Sequence, residues 1–504
     1  MKQLLYIDLF CGAGGTSTGV NSARLSGESC AEVIACVNHD AKAIASHAAN
    51  HPNALHFTED IRTLELSPLM THLEECRIKN PEALVVLWAS LECTNFSKAK
   101  GGQPRDADSR TLAEHLFRYI ETINPDYIQI ENVEEFMSWG SLDENGRPLS
   151  KDRGRSYVRW VNKVKRYGYD YEYRIMNAAD YGAYTSRKRF FGIFAKYGLP
   201  IIFPEPTHSK TGESGLFGEI KKWKPVREVL DLEDEGNSIF NRKKPLSEKT
   251  LERIYAGLVK FIPWDSNAFL SKQFSGVPAD KNISIDGPAG TITCIDHHAF
   301  VSVHYGNGFN TPLDSPAATL TTKDKMSLVQ VHFLDMQYGN GKPSSVDSVA
   351  GTITTNPKHH LVTVRKHFLV NPQFDSAGSS VDNPCFTLIA RMDKRPPSFV
   401  TVEHGTVRVE IYDTDSPMTV KIKKFMQLYN IDDIYMRMLK IPELLLIQGF
   451  PEDYVLVGTQ ADQKKFIGNA VEVTVARVWC EALCGEIDRR RPQILRYIQS
   501  KTAA

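Results

Sequence analysis

A cysteine at position 93 stands just past an apolar run, in Ala89-Ser90-Leu91-Glu92-Cys93-Thr94-Asn95-Phe96-Ser97. Residues 83–89 read as a buried strand. In an open parallel sheet, ligands bind outside the carboxyl ends of the strands. A thiol placed there is a candidate nucleophile. Taken alone, an isolated cysteine is more commonly a small buried hydrophobe. Other groups shift that balance. Glu131 follows the apolar run 127–130 directly and so puts a carboxyl, suited to acid–base work, at a second strand end. Tyr184-Thr185-Ser186-Arg187-Lys188-Arg189 is a compact basic cluster whose Arg187 and Arg189 could favour a thiolate nearby.

Two further stretches suit a small-molecule ligand. Cys11-Gly12-Ala13-Gly14-Gly15 follows the run 4–10, with Thr16 or Ser17 near the cap of a helix. Glycines there let the backbone turn tightly and approach a ligand. The pattern is neither GxGxxG nor a phosphate loop with GK[ST]. Asn38-His39-Asp40 ends the run 32–38. A polar group at that point suits a ribose hydroxyl, by analogy with dinucleotide folds, and equally a cap on the helix from Ala41.

These residues need strands to hold them. Runs at 4–10, 32–38, 55–61, 83–89, 127–130, 171–178 and 189–195 read as seven strands. A third short strand over 55–61 would end at Asp60-Ile61. Leu112, Leu116, Tyr119, Ile120 and Ile123 share one face of a helix over 109–123, stopped by Asn124-Pro125. Residues 155–167 read as another helix, closed by Gly168. The pattern predicts an α/β, doubly wound domain over 1–200, completed by 436–504 with a last helix through about Leu483.

Pro200, Pro204 and Pro206 end that pattern, and 205–435 reads as a β-rich insertion. Asp286, Asp314, Asp347, Asp382 and Asp415 head similar units, stepping by 28, 33, 35 and 33 residues. Each unit pairs an Asp/Pro-type turn with an alternating Thr-Ile-Thr-like stretch, so 280–420 reads as an array of β-hairpins. The scattered histidines there alternate along strands and do not suggest a metal.

The whole chain has 504 residues, zero formal net charge, 42% hydrophobic and 24% charged content, and nine cysteines. Any basic surface must be local. An odd cysteine count without paired spacing argues for a reducing compartment, and the lack of CxxC or HExxH speaks against a structural zinc site of familiar spacing. Met1 to Leu5 runs into a strand, so no signal peptide is expected, and no apolar run has membrane-span length.

Six motifs in one order resemble the DNA cytosine carbon-5 methyltransferases, over roughly 1–200 and 436–485. They are Asp8-Leu9-Phe10-Cys11-Gly12-Ala13-Gly14-Gly15, Cys93-Thr94-Asn95-Phe96-Ser97, Glu131-Asn132-Val133, Arg187-x-Arg189, Gln448-Gly449-Phe450-Pro451 and Gly468-Asn469-Ala470-Val471. The resemblance implies a Rossmann-like methyltransferase sheet with a β-rich target-recognition domain inserted before the C-terminal helix. It implies S-adenosyl-L-methionine as cofactor, held by Asp8, Phe10, Gly12, Gly14, Gly15, Asn38, His39, Asp60, Ile61, Asn469, Ala470 and Val471. It implies Cys93 as nucleophile at cytosine carbon 6, Glu131 at ring nitrogen 3, Arg187 and Arg189 beside them, and no metal. Because a stacked base cannot react, the cytosine must be flipped from duplex DNA. Ser97, Lys98, Lys100 and Gly101 would contact that DNA in a loop that closes behind the base.

The implied setting is the cytoplasm of a bacterium, or a phage-encoded enzyme, acting as a monomer on double-stranded DNA and without a membrane. A cognate restriction endonuclease is an optional partner. A tRNA substrate and a non-catalytic DNA-binding role are the alternatives. Three positions depart from the family's pattern: Glu92 replaces the usual Pro, Asn38 the usual Glu, and Thr185 the usual Gln. None of the three removes a catalytic atom.

Overall fold

Strand β1 (Leu4–Leu9) has both faces buried: Leu5, Ile7 and Leu9 on one side, Leu4 and Tyr6 on the other. A strand apolar on both faces belongs inside a sheet covered on both sides. The computed structural model describes residues 2–91, 112–140, 152–261 (except 216, 217, 232, 233, 235, 236 and 241), 384–385, 398–404, 409–428 and 431–503. It also describes short segments at 269–272, 282–283, 298–301, 333–336, 344–345, 359–362, 366–370 and 379–382. They form two compact units, Met1–Asp234 with Val381–Pro397 and Met438–Ala504, and Glu235–Ser380 with Ser398–Arg437.

The first unit is built on a seven-stranded sheet. Its other strands are β2 (Ala31–Val37), β3 (Leu55–Phe57), β4 (Leu84–Ser90), β5 (Tyr127–Asn132), β6 (Tyr169–Asn177) and β7 (Lys188–Lys196). The order across the sheet is β3-β2-β1-β4-β5-β7-β6. The first five are mutually parallel, and β7 runs antiparallel between β5 and β6. Strand order reverses at β1, the switch point where doubly wound sheets open a crevice. The fold is thus the expected Rossmann-like α/β sheet, with an antiparallel strand that run-by-run reading of the sequence does not reveal.

Helices close both faces. Leu69 and Leu73 of α3 (Ser67–Lys79), Leu116, Ile120 and Ile123 of α4 (Leu116–Ile123), and Trp160, Val161 and Val164 of α5 (Arg155–Lys165) join the core of the Leu5 face. On the Leu4 face lie α1 (Gly15–Ser22), α2 (Ala41–Asn50) and, from the other end of the chain, α8 (Val473–Arg489). Helix α6 (Ile441–Ile447) and α7 (Gln460–Asn469) precede α8, and α9 (Arg491–Ala503) follows it. Gly19 of α1 makes this packing close: a Cβ there would lie 2.6 Å from Ala476 Cβ. Trp479 of α8 is fully buried against Trp88, Phe191 and Phe203. No helix among the described residues is long and apolar enough to cross a membrane.

Several elements differ from expectation. The third strand stops at Phe57, because Asp60 turns the chain: its carboxylate accepts from the backbone N–H of Arg62 at 2.9 Å and pairs with that residue's guanidinium at 2.6 Å. The helix expected over 109–123 divides into a 3-10 turn, Leu112–His115, and α4, which Asn124 ends in a left-handed conformation. The chain's end carries two helices, α8 and α9, where one was expected; Arg490 has left the helical conformation between them. Met436 belongs to a strand, Ile431–Met438, not to returning α/β structure.

In the second unit that strand joins a five-stranded sheet with Asn237–Ser238, Ser398–His404, Lys366–Val370 and Ser379–Ser380. Helices Glu248–Phe261 and Pro417–Leu428 share a core with it that includes Ile254, Leu258, Ile422, Met426 and Ile434. Two three-stranded sheets carry antiparallel pairs, Phe269–Lys272 with His298–Val301 and Phe333–Met336 with His359–Val362. The turn-and-strand cores of the first three repeats, at 285–293, 313–321 and 346–354, lie mostly or wholly outside the described residues.

Candidate active site

At the carboxyl ends of β1, β2, β4 and β5 the first unit opens a cavity of about 190 Å³. Five stretches far apart in sequence form its wall. Phe10, Cys11 and Gly12 come from the turn after β1, Asn38, His39 and Asp40 from the end of β2, Ser90, Leu91 and Glu131 from β4 and β5, and Asn469, Ala470 and Val471 from the end of α7. Arg187, Arg189, Thr16, Ala43, Lys465 and Phe466 complete it.

The glycine turn is shaped by backbone geometry. Phe10, Gly12 and Gly14 all have positive φ (62°, 55° and 107°). That region suits glycine and is unusual for Phe10. A side chain at Gly12 would meet nothing within 4 Å, so the turn leaves open space at the cavity. Gly14 and Gly15 face inward instead: a Cβ at Gly14 would strike the Tyr454 hydroxyl, and one at Gly15 the Val471 carbonyl. Tyr454 donates its hydroxyl hydrogen to the Ala13 carbonyl, locking the C-terminal segment onto the turn. Asp8 is wholly buried below it, accepting from Ser17 Oγ at 2.9 Å, and burial pushes its carboxyl up.

The β2 corner is fixed by capping. Asp40 caps α2 by accepting from the backbone N–H groups of Lys42 and Ala43, and Asn38 Oδ1 accepts from Asp40 N–H at 2.9 Å. One lone pair of the Asn38 amide oxygen is thereby engaged, and the residue lines the cavity. Two ion pairs join this corner to α7, Lys465 with Asp40 at 3.0 Å and Lys42 with Asp462 at 2.7 Å.

Glu131 stands in register with Ser90. Its carboxyl is raised, first by burial, with Arg189 and Arg187 acting the other way. Arg189 Nε lies 3.5 Å from Glu131 Oε1. Arg187 is buried and donates to the Gly468 carbonyl at 3.1 Å, which ties the start of β7 to the end of α7. The turn before it is held by a parallel bridge from Thr185 to Cys385, with Ser186 N–H donating to the Cys385 carbonyl at 2.8 Å. Asn132 donates to the Leu91 carbonyl at 3.3 Å and so fixes the last described residue before the candidate nucleophile.

The cavity thus gathers Phe10, Gly12, Asn38, His39, Glu131, Arg187, Arg189, Asn469, Ala470 and Val471 from the expected set. It does not gather Asp8, Gly14 and Gly15, which lie behind the turn, nor Asp60 and Ile61. Glu92, Cys93, Ser97, Lys98, Lys100 and Gly101 lie outside the described residues. Lys465, Phe466 and Asp40 were missed as lining residues. Only the capping pattern at Asp40 was visible in sequence, because the salt bridges that draw α7 over the corner are tertiary.

The sequence profile of the family described as C-5 cytosine-specific DNA methylase matches residues 4–262 and 348–484. Over 211 residues the chain is 30% identical to the Type II methyltransferase M.AgeI of Thalassovita gelatinovora, covering 42% of this chain and 44% of that protein. Over 215 residues it is 28% identical to the Type II methyltransferase M1.HphI of Haemophilus parahaemolyticus, covering 42% and 51%. The matched stretch therefore spans about half the length of these curated relatives. The solved S. pombe Dnmt2 methyltransferase superimposes with a TM-score of 0.46 at 14% identity, covering 97% of this chain and 100% of that one. With the profile matching well over half of its length, this chain belongs to the C-5 cytosine-specific DNA methylase family.

Proposed function

We propose that the protein is a DNA methyltransferase that transfers a methyl group from S-adenosyl-L-methionine to carbon 5 of cytosine in duplex DNA. The observation that carries this is Glu131, a buried carboxyl inclined to hold its proton, on the wall of a ligand-sized cavity in a chain of this family. The cavity suits the cofactor: an apolar ring at Phe10, open space over Gly12, polar groups at Asn38 and His39, and backbone from Asn469 to Val471. S-adenosyl-L-methionine supplies the electrophilic methyl group when bound. Asn38 offers a donor to ribose oxygens where the family's usual Glu offers an acceptor.

Cytosine carbon 5 is a poor nucleophile, so the residues must first change the ring. The Cys93 thiolate adds to carbon 6, and a new carbon–sulfur bond forms. Glu131 shares its proton with ring nitrogen 3, which absorbs the negative charge that addition develops. Arg189, 3.5 Å from Glu131, holds the carboxyl in place and balances its charge once the proton moves. After methyl transfer a solvent base takes the carbon-5 proton, its electron pair reforms the carbon 5–carbon 6 double bond as the carbon–sulfur bond breaks to restore the thiolate, and ring nitrogen 3 returns its proton to Glu131. Residues 235–380 and 398–437 carry target recognition in this reading, and Ser97, Lys98, Lys100 and Gly101 contact the DNA.

The test is transfer of labelled methyl from S-adenosyl-L-methionine to mixed-sequence duplex DNA, with tRNA as a parallel substrate. Labelling of DNA that Cys93→Ser abolishes is expected. Labelling of tRNA alone, or of neither, overturns the assignment. A duplex containing 5-fluorocytosine should trap a covalent adduct, since fluorine cannot leave as the proton does.

A further inference from the structure

A polar row beneath the glycine turn has no part in that reaction. Asp8 and Cys36 are register partners on β1 and β2, and Cys36 and His56 are register partners on β2 and β3. Register partners in a parallel pair point to the same face, so the three side chains stand side by side. His47 of α2 descends on the row, with Nδ1 2.9 Å from His56 Nε2 and 3.6 Å from Cys36 Sγ. Cys11 stands at the start of the turn, and one donor atom each of Cys11, Cys36 and His47 lies within 4.8 Å of the others; His56 falls outside that mutual spacing and would have to close in from β3 as the fourth ligand. Cys11, Cys36 and His47 are buried.

We propose that Cys11, Cys36, His47 and His56 hold one thiophilic divalent cation of the zinc class, tying β1, β2, β3 and α2 together under the turn. Two thiolates and two imidazoles are a common tetrahedral set for that ion. Donor atoms of such a set stand roughly 3–4 Å apart, given metal–donor bonds of about 2.0–2.3 Å. The 2.9 and 3.6 Å separations are close to this. The charges also close: a dication with two thiolates and two neutral imidazoles is neutral, which suits a buried position.

The surroundings orient the imidazole. His47 Nε2 lies 2.8 Å from Ser17 Oγ, and Ser17 donates its single hydroxyl hydrogen to Asp8. With Nε2 as donor to Ser17, the Nδ1 lone pair of His47 faces Cys36 and His56, which is the tautomer that a metal at Nδ1 requires. A hydrogen-bonded partner on the far ring nitrogen is the usual support of a metal-bound histidine. Cys11 lines the cavity, so an ion has a way in. On binding, two S–H bonds break, two sulfur–metal bonds form and the two protons pass to solvent; nothing is oxidised or reduced.

The bland alternative is a hydrogen-bonded core. A second buried group, Cys30, Cys480 and Cys484, shows what distinguishes the two. Three thiolates on a dication leave a net negative charge in apolar surroundings, and the group has no such oriented imidazole, so it serves as the control.

The full-length protein, stripped with chelator under reducing conditions, is titrated with Co²⁺ and read by absorption. One Co²⁺ per chain with a thiolate-to-cobalt charge-transfer band, displaced by Zn²⁺, is expected. Cys36→Ser should lose the band and Cys484→Ser should keep it. His56→Gln, at a half-buried edge strand, should remain folded by circular dichroism and bind at least ten-fold more weakly. No stoichiometric band, the reverse pattern between the two serine variants, or unchanged affinity in His56→Gln overturns the site. If Cys36→Ser does not fold, His56→Gln decides alone. None of these readouts depends on methyl transfer.

Discussion

Glu131 concentrates the chemistry that single side chains carry. Burial raises its carboxyl, and the two arginines only partly offset this. The form that donates to a base is therefore held to higher pH than in an ordinary glutamate. Activity should fall on the alkaline side as pH rises through the raised value. Replacing Glu131 by Gln keeps the shape and removes the proton. The expected result is a kcat lower by about 10²–10⁴-fold with that alkaline limb gone, while cofactor affinity, measured by calorimetry, changes little. A kcat within a few-fold of the parent would remove Glu131 from the role. Asn38 behaves differently at this scale: its identity was visible in sequence, but the hydrogen bond it accepts from Asp40, which orients the amide, was not.

Helices and strands hold these groups, and α8 shows how. Its N-cap is Glu472, which accepts from Val475 N–H at 2.8 Å while buried. Burial pushes its carboxyl up to about 7. A carboxyl raised in the folded state stabilises most below its unfolded value, and that stabilisation is lost as pH rises through the raised one. A shift from 4.5 to about 7 corresponds to about 3 kcal/mol between those limits. The melting temperature should thus decline between about pH 5 and 7.5, and Glu472→Gln, which keeps an acceptor at the cap, should flatten that decline. Equal slopes in both proteins would assign the pH dependence elsewhere.

At the same scale, Gly19→Ala should cost a few kcal/mol, since the added Cβ would lie 2.6 Å from Ala476 Cβ and from the Val473 carbonyl. Chemical denaturation measures this. The apolar runs made the central strands legible almost to their ends, because strands buried on both faces need such runs, while the edge strand β6, largely exposed, was legible by its aromatic and alternating residues. The short β3 was overextended, because Asp60-x-Arg62 forms its turn through side chains that carry no apolar signal. The row Asp8–Cys36–His56 was not legible at all: its members become neighbours only through register.

The first unit as a whole takes its core from both ends of the chain. Trp479, from the C-terminal segment, fills the space between Trp88 of β4, Phe191 of β7 and Phe203, and Tyr454 fastens the glycine turn from the same segment. A chain ending at residue 437 would leave the Leu4 face of the sheet without α8 and expose its apolar residues. It should show no cooperative unfolding transition and should bind no cofactor. The last helix, α9, contributes less and in a separable way. Tyr497 donates to Asp126 at 2.7 Å, and Lys501 pairs with the same carboxylate at 2.8 Å, while Asp126 accepts from Val85 N–H with its other oxygen. A chain ending at residue 490 keeps Trp479 in place and loses these bonds, the cover over Asp126, the Arg491–Glu82 ion pair at 2.9 Å and the buried side chain of Ile494 at the margin of the core. Bonds to a charged group that is left partly solvated are worth about 1–3 kcal/mol together. Cooperative melting at a lower temperature is therefore expected for the chain ending at 490, against none for the chain ending at 437, and scanning calorimetry of the two separates a helix that completes the core from one that packs at its margin.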